Sequence, residues 1–171
     1  MTENNVILVD KQDNAIGTME KMEAHVKAVL HRAISVFIVN SQGEWLLQQR
    51  TFDKYHSKGL WTNTCCSHPY PGETSLEAGH RRLMEEMGMK AEVREIFSFM
   101  YIQELENGLT EHEFDHVFVG VSDDLPQPHP EEVMDYKYVS FDELKADVAL
   151  HPENYTAWFK LIFERVGETI G

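Results

Sequence analysis

In the run Trp61-Thr62-Asn63-Thr64-Cys65-Cys66-Ser67-His68-Pro69 a thiol and an imidazole stand two residues apart. Residues i and i+2 of an extended chain share a face, so Cys66 and His68 look into one space and Cys65 looks away. A catalytic thiol beside a metal-binding imidazole has this spacing, and so do two ordinary buried side chains. A second group is Glu111-His112-Glu113-Phe114-Asp115-His116. Alternation puts Glu111, Glu113 and Asp115 on one face and His112, Phe114, His116 and Phe118 on the other. Carboxylates crowded on one strand face repel unless water or a cation neutralises them, so this is either an exposed acidic edge or a set of oxygen ligands. His25 and His31 read as surface histidines when taken alone. Joined with His68, Glu111 and Glu113 they make three nitrogen and two oxygen donors, which leaves one octahedral position open and suits Mn²⁺ or Zn²⁺.

Other residues carry similar double readings. Arg81-Arg82-Leu83-Met84-Glu85-Glu86-Met87-Gly88 puts two carboxylates at the end of a helix, against the helix dipole. Arg82 and Glu86 are i,i+4 neighbours, so this is either an ion-paired solvated face or a carboxylate site for a divalent cation. Lys21, Arg50, Lys54 and Arg82 are either plain surface charges or a local anion site. Trp61, Tyr101 and Trp158 are core aromatics, or rings whose faces stabilise a developing carbocation.

Elements to hold these groups follow from pattern. Val6 to Val9 reads as a strand, and Arg32 to Asn40 with Trp45 to Arg50 as a hairpin turning at Ser41-Gln42-Gly43-Glu44. Residues 51–60 read as a polar loop and Trp61 to Cys66 as extended chain. Thr74-Ser75-Leu76-Glu77 is a capping box, and Leu76, Leu83 and Met87 recur at near-helical spacing up to a Gly88 cap. Ala91 to Met100 and Glu111 to Val121 read as strands joined through Glu106-Asn107-Gly108. Tyr136 to Ser140 reads as a short strand. A second capping box at Ser140 opens a helix to about Leu150, and a last helix runs from about Thr156 to Val166. Strands, a helix, more strands and terminal helices predict an α/β (α+β) sandwich around a mixed sheet.

With 171 residues and 42% apolar content, a single domain over 1–171 with a hydrophobic core is expected. The formal charge of −14 repels a nucleic-acid backbone while permitting a small phosphorylated ligand. No apolar run approaches the roughly 20 residues of a membrane span. Met1-Thr2-Glu3-Asn4-Asn5 is no secretory signal, so a cytoplasmic location without membrane partner is expected. The two cysteines are neighbours, which leaves no disulfide framework.

These pieces together resemble the Nudix superfamily. In the register of its box stand Ser67, Glu73, Arg81, Arg82, Leu83, Glu85, Glu86 and Gly88. Ser67 replaces the first glycine, and Arg82 replaces a glutamate that helps hold catalytic metals in hydrolysing members. Within the superfamily the chain is similar to the type I isopentenyl-diphosphate isomerase family over nearly its whole length. The similarity is carried by Lys21, His25, Arg50, Lys54, Trp61-Thr62-Asn63-Thr64-Cys65-Cys66-Ser67-His68-Pro69, Arg82, Glu86, Tyr101, Glu111-x-Glu113, Glu132-Val133-Met134-Asp135-Tyr136 and Trp158.

The resemblance implies a Nudix-type α/β/α sandwich and reversible conversion of isopentenyl diphosphate to dimethylallyl diphosphate in isoprenoid biosynthesis, by a monomer or a homodimer. It implies Cys66 and Glu113 as acid/base groups with Tyr101 as hydrogen-bonding partner. It implies one metal on His25, His31, His68, Glu111 and Glu113, and a Mg²⁺ bridging Glu86 and the diphosphate with help from Cys66. Lys21, Arg50, Lys54 and Arg82 would hold the diphosphate, and Trp158 with Trp61 would face the cation. Cys65 would be a bystander. Two other readings of the same scaffold are a hydrolase of a nucleoside diphosphate derivative and a non-enzymatic metal or nucleotide sensor.

Overall fold

The run His31–Val39 is apolar on both faces, the pattern of a strand in the middle of a sheet. In the computed structural model, which describes residues 4–54 and 56–170, that is where it lies. Met1 to Glu3, part of the stretch read as lacking a secretory signal, lie outside the described residues. So do Tyr55, within the expected 51–60 loop, and Gly171.

The elements in chain order are β1 (Asn5–Val9), β2 (Ala15–Glu20), α1 (Lys21–Lys27), β3 (His31–Val39), β4 (Trp45–Arg50), β5 (Trp61–Thr62), β6 (Cys65–Ser67), α2 (Ser75–Met87), β7 (Val93–Glu104), β8 (Thr110–Val121), β9 (Val133–Val139), α3 (Phe141–Leu150) and α4 (Ala157–Ile170). All nine strands join one mixed sheet. Along one edge β3 pairs in parallel with β8, from His31 opposite Glu113 to Val39 opposite Val121. Along the other it meets β1 at Leu8, β6 at Cys65–Ser67 and β4 at Leu46 and Trp45, all antiparallel. β7 pairs with β8, and β4 also carries β5 and β9.

Two apolar layers cover the two faces. Leu83 and Met87 of α2 pack with Ile34, Val36, Ile38, Leu46, Cys65 and Phe118. On the other face Phe159, Ile162, Phe163 and Val166 of α4, with Leu144 and Val148 of α3, pack on Phe37, Trp45, Leu47, Val117 and Val119. The arrangement is the expected α/β/α sandwich. No helix among the described residues is long and apolar enough to cross a membrane.

Several elements differ from the pattern reading. β2 and α1 have no counterpart in the sequence pattern. β2 is exposed along nearly its whole length, so it has no alternation to read, and α1 has 7 residues, too few for a periodic signal. α1 is set by its ends, where the Glu20 carboxylate accepts from the Glu23 N–H at 2.8 Å and Ala28 turns left-handed at φ 56°. The β3–β4 hairpin pairs only beside its turn, because β5 and β9 take up the rest of β4. The extended run from Trp61 breaks at Asn63 and Thr64. Their side chains replace the ladder: Thr64 Oγ1 accepts from Ile38 N and donates to Leu46 O, at 2.9 and 2.7 Å. β7, β9 and α4 run longer than expected.

α2 has both halves of its capping box at Thr74 and Glu77. Its buried face is carried by Ala78, Gly79, Leu83, Glu86 and Met87, whereas Leu76 is 42% exposed. The helix ends at Gly88, φ 63°, where an added Cβ would stand 2.6 Å from the Gln127 carbonyl oxygen. Gly88→Ala should therefore lower the unfolding free energy by about 1–3 kcal/mol through left-handed strain and this clash. Urea denaturation measures it, and an unchanged midpoint would contradict this role for the glycine.

Candidate active site and metal centre

Register builds the centre. Tyr101 on β7 lies opposite Glu113 on β8, and Glu113 lies opposite His31 on β3. Opposed residues project to the same face, so the three form a row across the sheet. β6 brings His68 to this row, and α1 brings His25. The C-terminal end of α1 is tied to β8, where the carbonyl of Ala28 meets His112 Nδ1 at 3.1 Å.

Three imidazole Nε2 atoms converge on one oxygen, Glu113 Oε2. They lie at 3.0 Å (His68), 3.2 Å (His31) and 3.7 Å (His25). The Nδ1 atoms of His25 and His31 lie 2.7 and 2.8 Å from the carbonyls of Lys21 and Val29. A carbonyl only accepts, so each Nδ1 carries the hydrogen and each Nε2 turns a lone pair inward. Buried lone pairs facing a carboxylate repel it, and a cation among them converts the repulsion into coordination. This donor set fits a divalent metal ion. A proton is the competing cation. Burial presses the His31 pKa down, but the hydrogen bond and charge of Glu113, with the Val29 carbonyl, together outweigh it and raise the pKa. Burial lowers His68 to about 4, against the pull of Glu113.

The carboxylates are buried, which excludes the exposed acidic edge. Glu111, Glu113 and Asp115 are each 5% exposed or less. The Tyr101 hydroxyl lies 2.9 Å from Glu113 Oε1 and 3.2 Å from Glu111 Oε1. Burial pushes Glu113 up, but His68 and His31 outweigh it and hold the carboxyl well below the usual range. Burial and the charge of Glu113 push Glu111 well up. Asp115 is also pushed well up by burial, and it accepts from Ser35 Oγ at 2.7 Å. A second possible ligand group shares His25 with the first and adds Glu111 and His56.

The thiol has its own frame. The Asn63 side-chain NH₂ donates to the carbonyls of Val36 and Cys65 at 3.0 and 2.9 Å, so its oxygen must face the other way. That oxygen accepts from the Cys66 thiol at 3.0 Å, and Trp158 Nε1 donates to Cys66 Sγ at 3.1 Å. Burial, with Asp115 and Glu86 nearby, pushes the Cys66 thiol up and keeps it neutral. Cys65 points to the opposite face, wholly buried in the α2 layer.

Cys66, His68, Tyr101, Glu111, Glu113 and Trp158 line one open cavity together with Lys21, Arg50, Lys54 and Arg82. Burial lowers the Lys21 pKa, and the charges of Arg82 and Lys54 lower it further, so an anion among these cations would be stabilised. Arg50 donates to the carbonyls of Ser57 and His56, and its guanidinium lies 5.1 Å from the Trp158 ring. Lys54 is paired with Glu132.

Four predicted residues do not line this cavity: His25 and His31 lie buried beneath it against Glu113, and Glu86 and Trp61 lie elsewhere. Glu86 is buried behind it, with Arg82 Nη2 2.9 Å from one oxygen and Gln48 Nε2 2.9 Å from the other. Trp61 packs against the α3/α4 core, with Lys137 Nζ 4.3 Å from its ring centre. Sequence reasoning gave no role to His56, Asn63 or Asp115. Asn63 stood inside the opening run and Asp115 on the acidic face, so both carried a signal. His56 sits in a loop without periodicity and carried none.

The NUDIX domain model matches residues 29–159. A protein of Pectobacterium atrosepticum named isopentenyl-diphosphate Delta-isomerase is 55% identical over 94% of this chain and 90% of its own length. One of the same name from Serratia proteamaculans is 49% identical over 95% of this chain and 90% of its own. Among solved structures, a MutT protein from Methanosarcina mazei aligns with a TM-score of 0.66 at 23% identity, over 81% of this chain and 94% of its own. A MutT NUDIX hydrolase from Burkholderia pseudomallei aligns at 0.63 and 20% identity, over 80% of this chain and 98% of its own. The structural likeness reflects the shared fold, and the close relatives narrow it: the chain belongs to the NUDIX domain family and, within it, to the isopentenyl-diphosphate Delta-isomerases.

Proposed function

We propose that the cavity interconverts isopentenyl diphosphate and dimethylallyl diphosphate by adding a proton to one carbon and removing one from another. The observation that carries this reading is that Cys66 and Glu113 line one cavity with a cationic rim, where burial pushes the thiol pKa up and His68 and His31 hold the carboxyl pKa down. Cys66 and Glu113 stand on strands that flank β3 on opposite sides. Protonating the terminal alkene carbon gives a tertiary cation, and loss of a proton from the carbon beside it on the diphosphate side places the double bond there. Two groups suffice, and each is acid in one direction and base in the other.

An unactivated alkene is a poor base, and its cation reacts with water, so a dry, oriented site is needed. Asn63 and Trp158 support this by fixing the thiol between an acceptor and a donor. Tyr101 does the same for Glu113. The buried indole of Trp158 offers its ring to the cation. Lys21, Arg50, Lys54 and Arg82 would hold the diphosphate. Mn²⁺ or Zn²⁺ would be held by His25, His31, His68, Glu111 and Glu113, and its charge would offset the buried carboxylates. Glu86 is engaged by Arg82, so a Mg²⁺ on Glu86 would arrive with a diphosphate that draws Arg82 away. Hydrolysis of a nucleoside diphosphate derivative is disfavoured, because Arg82 stands where hydrolysing members keep a carboxylate.

Incubation with isopentenyl diphosphate should yield dimethylallyl diphosphate without phosphate release, followed by NMR. Phosphate release in place of the isomer would sink the reading. Cys66→Ala should abolish turnover while the protein still folds and binds metal. Full activity of that variant would remove the thiol from its role. Cys65→Ser should be nearly silent, and collapse of activity in a folded Cys65→Ser protein would move the reacting thiol from Cys66 to Cys65. Free Mn²⁺ at about 100 times its dissociation constant should raise the unfolding free energy by about 2.7 kcal/mol. His31→Ala should lose most of that increment. Equal stability with and without metal would count against the centre.

A further inference from the structure

The thiol of Cys66 sits between groups from two distant parts of the chain. Its acceptor, Asn63 Oδ1, lies between β5 and β6, and its donor, Trp158 Nε1, lies on α4. A buried row of side chains joins the two. Thr62 Oγ1 lies 2.9 Å from Asn63 Oδ1, and Thr156 Oγ1 lies 3.0 Å from Thr62 Oγ1. Thr156 stands just before α4, and its Oγ1 accepts from the Phe159 N–H at 3.3 Å. Thr62, Asn63 and Thr156 are each 1% exposed or less.

The sense of every bond in this row is fixed from one end. The Asn63 NH₂ is committed to the carbonyls of Val36 and Cys65, so the oxygen is the atom that faces Thr62 and Cys66, and it only accepts. A threonine hydroxyl has one hydrogen. Thr62 gives that hydrogen to Asn63 and therefore accepts from Thr156. The Asn63 oxygen has two lone pairs. Thr62 takes one, and the other is left for the Cys66 S–H.

We propose that Thr62 and Thr156 are positioning residues for Cys66, which rests on the reading of that thiol as one of the two proton-transfer groups. Their hydrogen bond sets the gap between Asn63 and Trp158, and the thiol is seated in that gap. The backbone beside it is tied separately, by the Thr156 N–H to the Trp61 carbonyl at 3.0 Å. Loss of the hydroxyl contact therefore leaves α4 docked and loosens the seat of the thiol. Neither threonine lines the cavity, so the effect reaches substrate through Cys66 and Trp158.

Infrared spectroscopy of the S–H stretch in the substrate-free protein tests this, the Cys66 band being the one that Cys66→Ala lacks. Thr62→Val keeps the outline of the side chain and removes its hydroxyl. In that variant the Cys66 band should move up in frequency, towards a free thiol. Its kcat for isomerisation should fall about tenfold, with KM within about twofold of the parent's. Thr62→Ser should restore both the band and kcat. A folded Thr62→Val protein with an unmoved or lowered band, or with the parent's kcat, would overturn the proposal. A free-thiol band in the parent would overturn it whether or not the variants fold. Should Thr62→Val fail to fold, Thr156→Val breaks the same bond from the other side and carries the same expectations. A parent protein without isomerase turnover would overturn the functional reading, while the band shift would still establish how the thiol is seated.

Discussion

The fold closes around one electrostatic requirement. Three imidazole nitrogens face a single buried carboxylate oxygen, and two of the three have their other nitrogen tied to a backbone carbonyl. Each of those two is fixed in the tautomer that turns its lone pair inward. Such an arrangement is stable only around positive charge, and an uncompensated buried charge costs about 3–5 kcal/mol. A divalent ion meets the requirement and leaves the carboxylate ionised.

Every other feature of the site is measured from β3. β8 on one side supplies Glu111, Glu113 and Asp115, and β6 on the other supplies Cys66 and leads to His68. The site face of the sheet continues into the α3/α4 core, so Trp158, near the start of α4, is fixed over the thiol by the packing of Phe159, Ile162 and Phe163. Cys66 and Cys65 meet different surroundings because a strand sends neighbours to opposite faces. One thiol meets the cavity, and the other meets Leu83 and Met87.

What could be read in the sequence was local and periodic. The i,i+2 spacing of Cys66 and His68, the alternation through Glu111 to Asp115, and the capping box at Thr74 each need only a few neighbours to define them. What could not be read depends on distant contacts. α1 is too short to announce itself, and its end is tied to His112 on β8. His56 is aimed by a left-handed Ser57 and a carboxylate from the β7–β8 turn. Trp61 looks like Trp158 in sequence, yet β5 turns it to the helical core. Glu86 pairs with Arg82 as the i,i+4 spacing predicts, but only the packed structure shows Gln48 closing its other oxygen.

The central claim is proton transfer at carbon. Incubation with isopentenyl diphosphate in D₂O, read by deuterium NMR and mass spectrometry, tests it most directly. The expected result is solvent deuterium in dimethylallyl diphosphate and in recovered isopentenyl diphosphate, with the diphosphate intact. Isomer formed without any solvent deuterium, or bound substrate recovered unlabelled and unconverted by the metal-loaded protein, would contradict it.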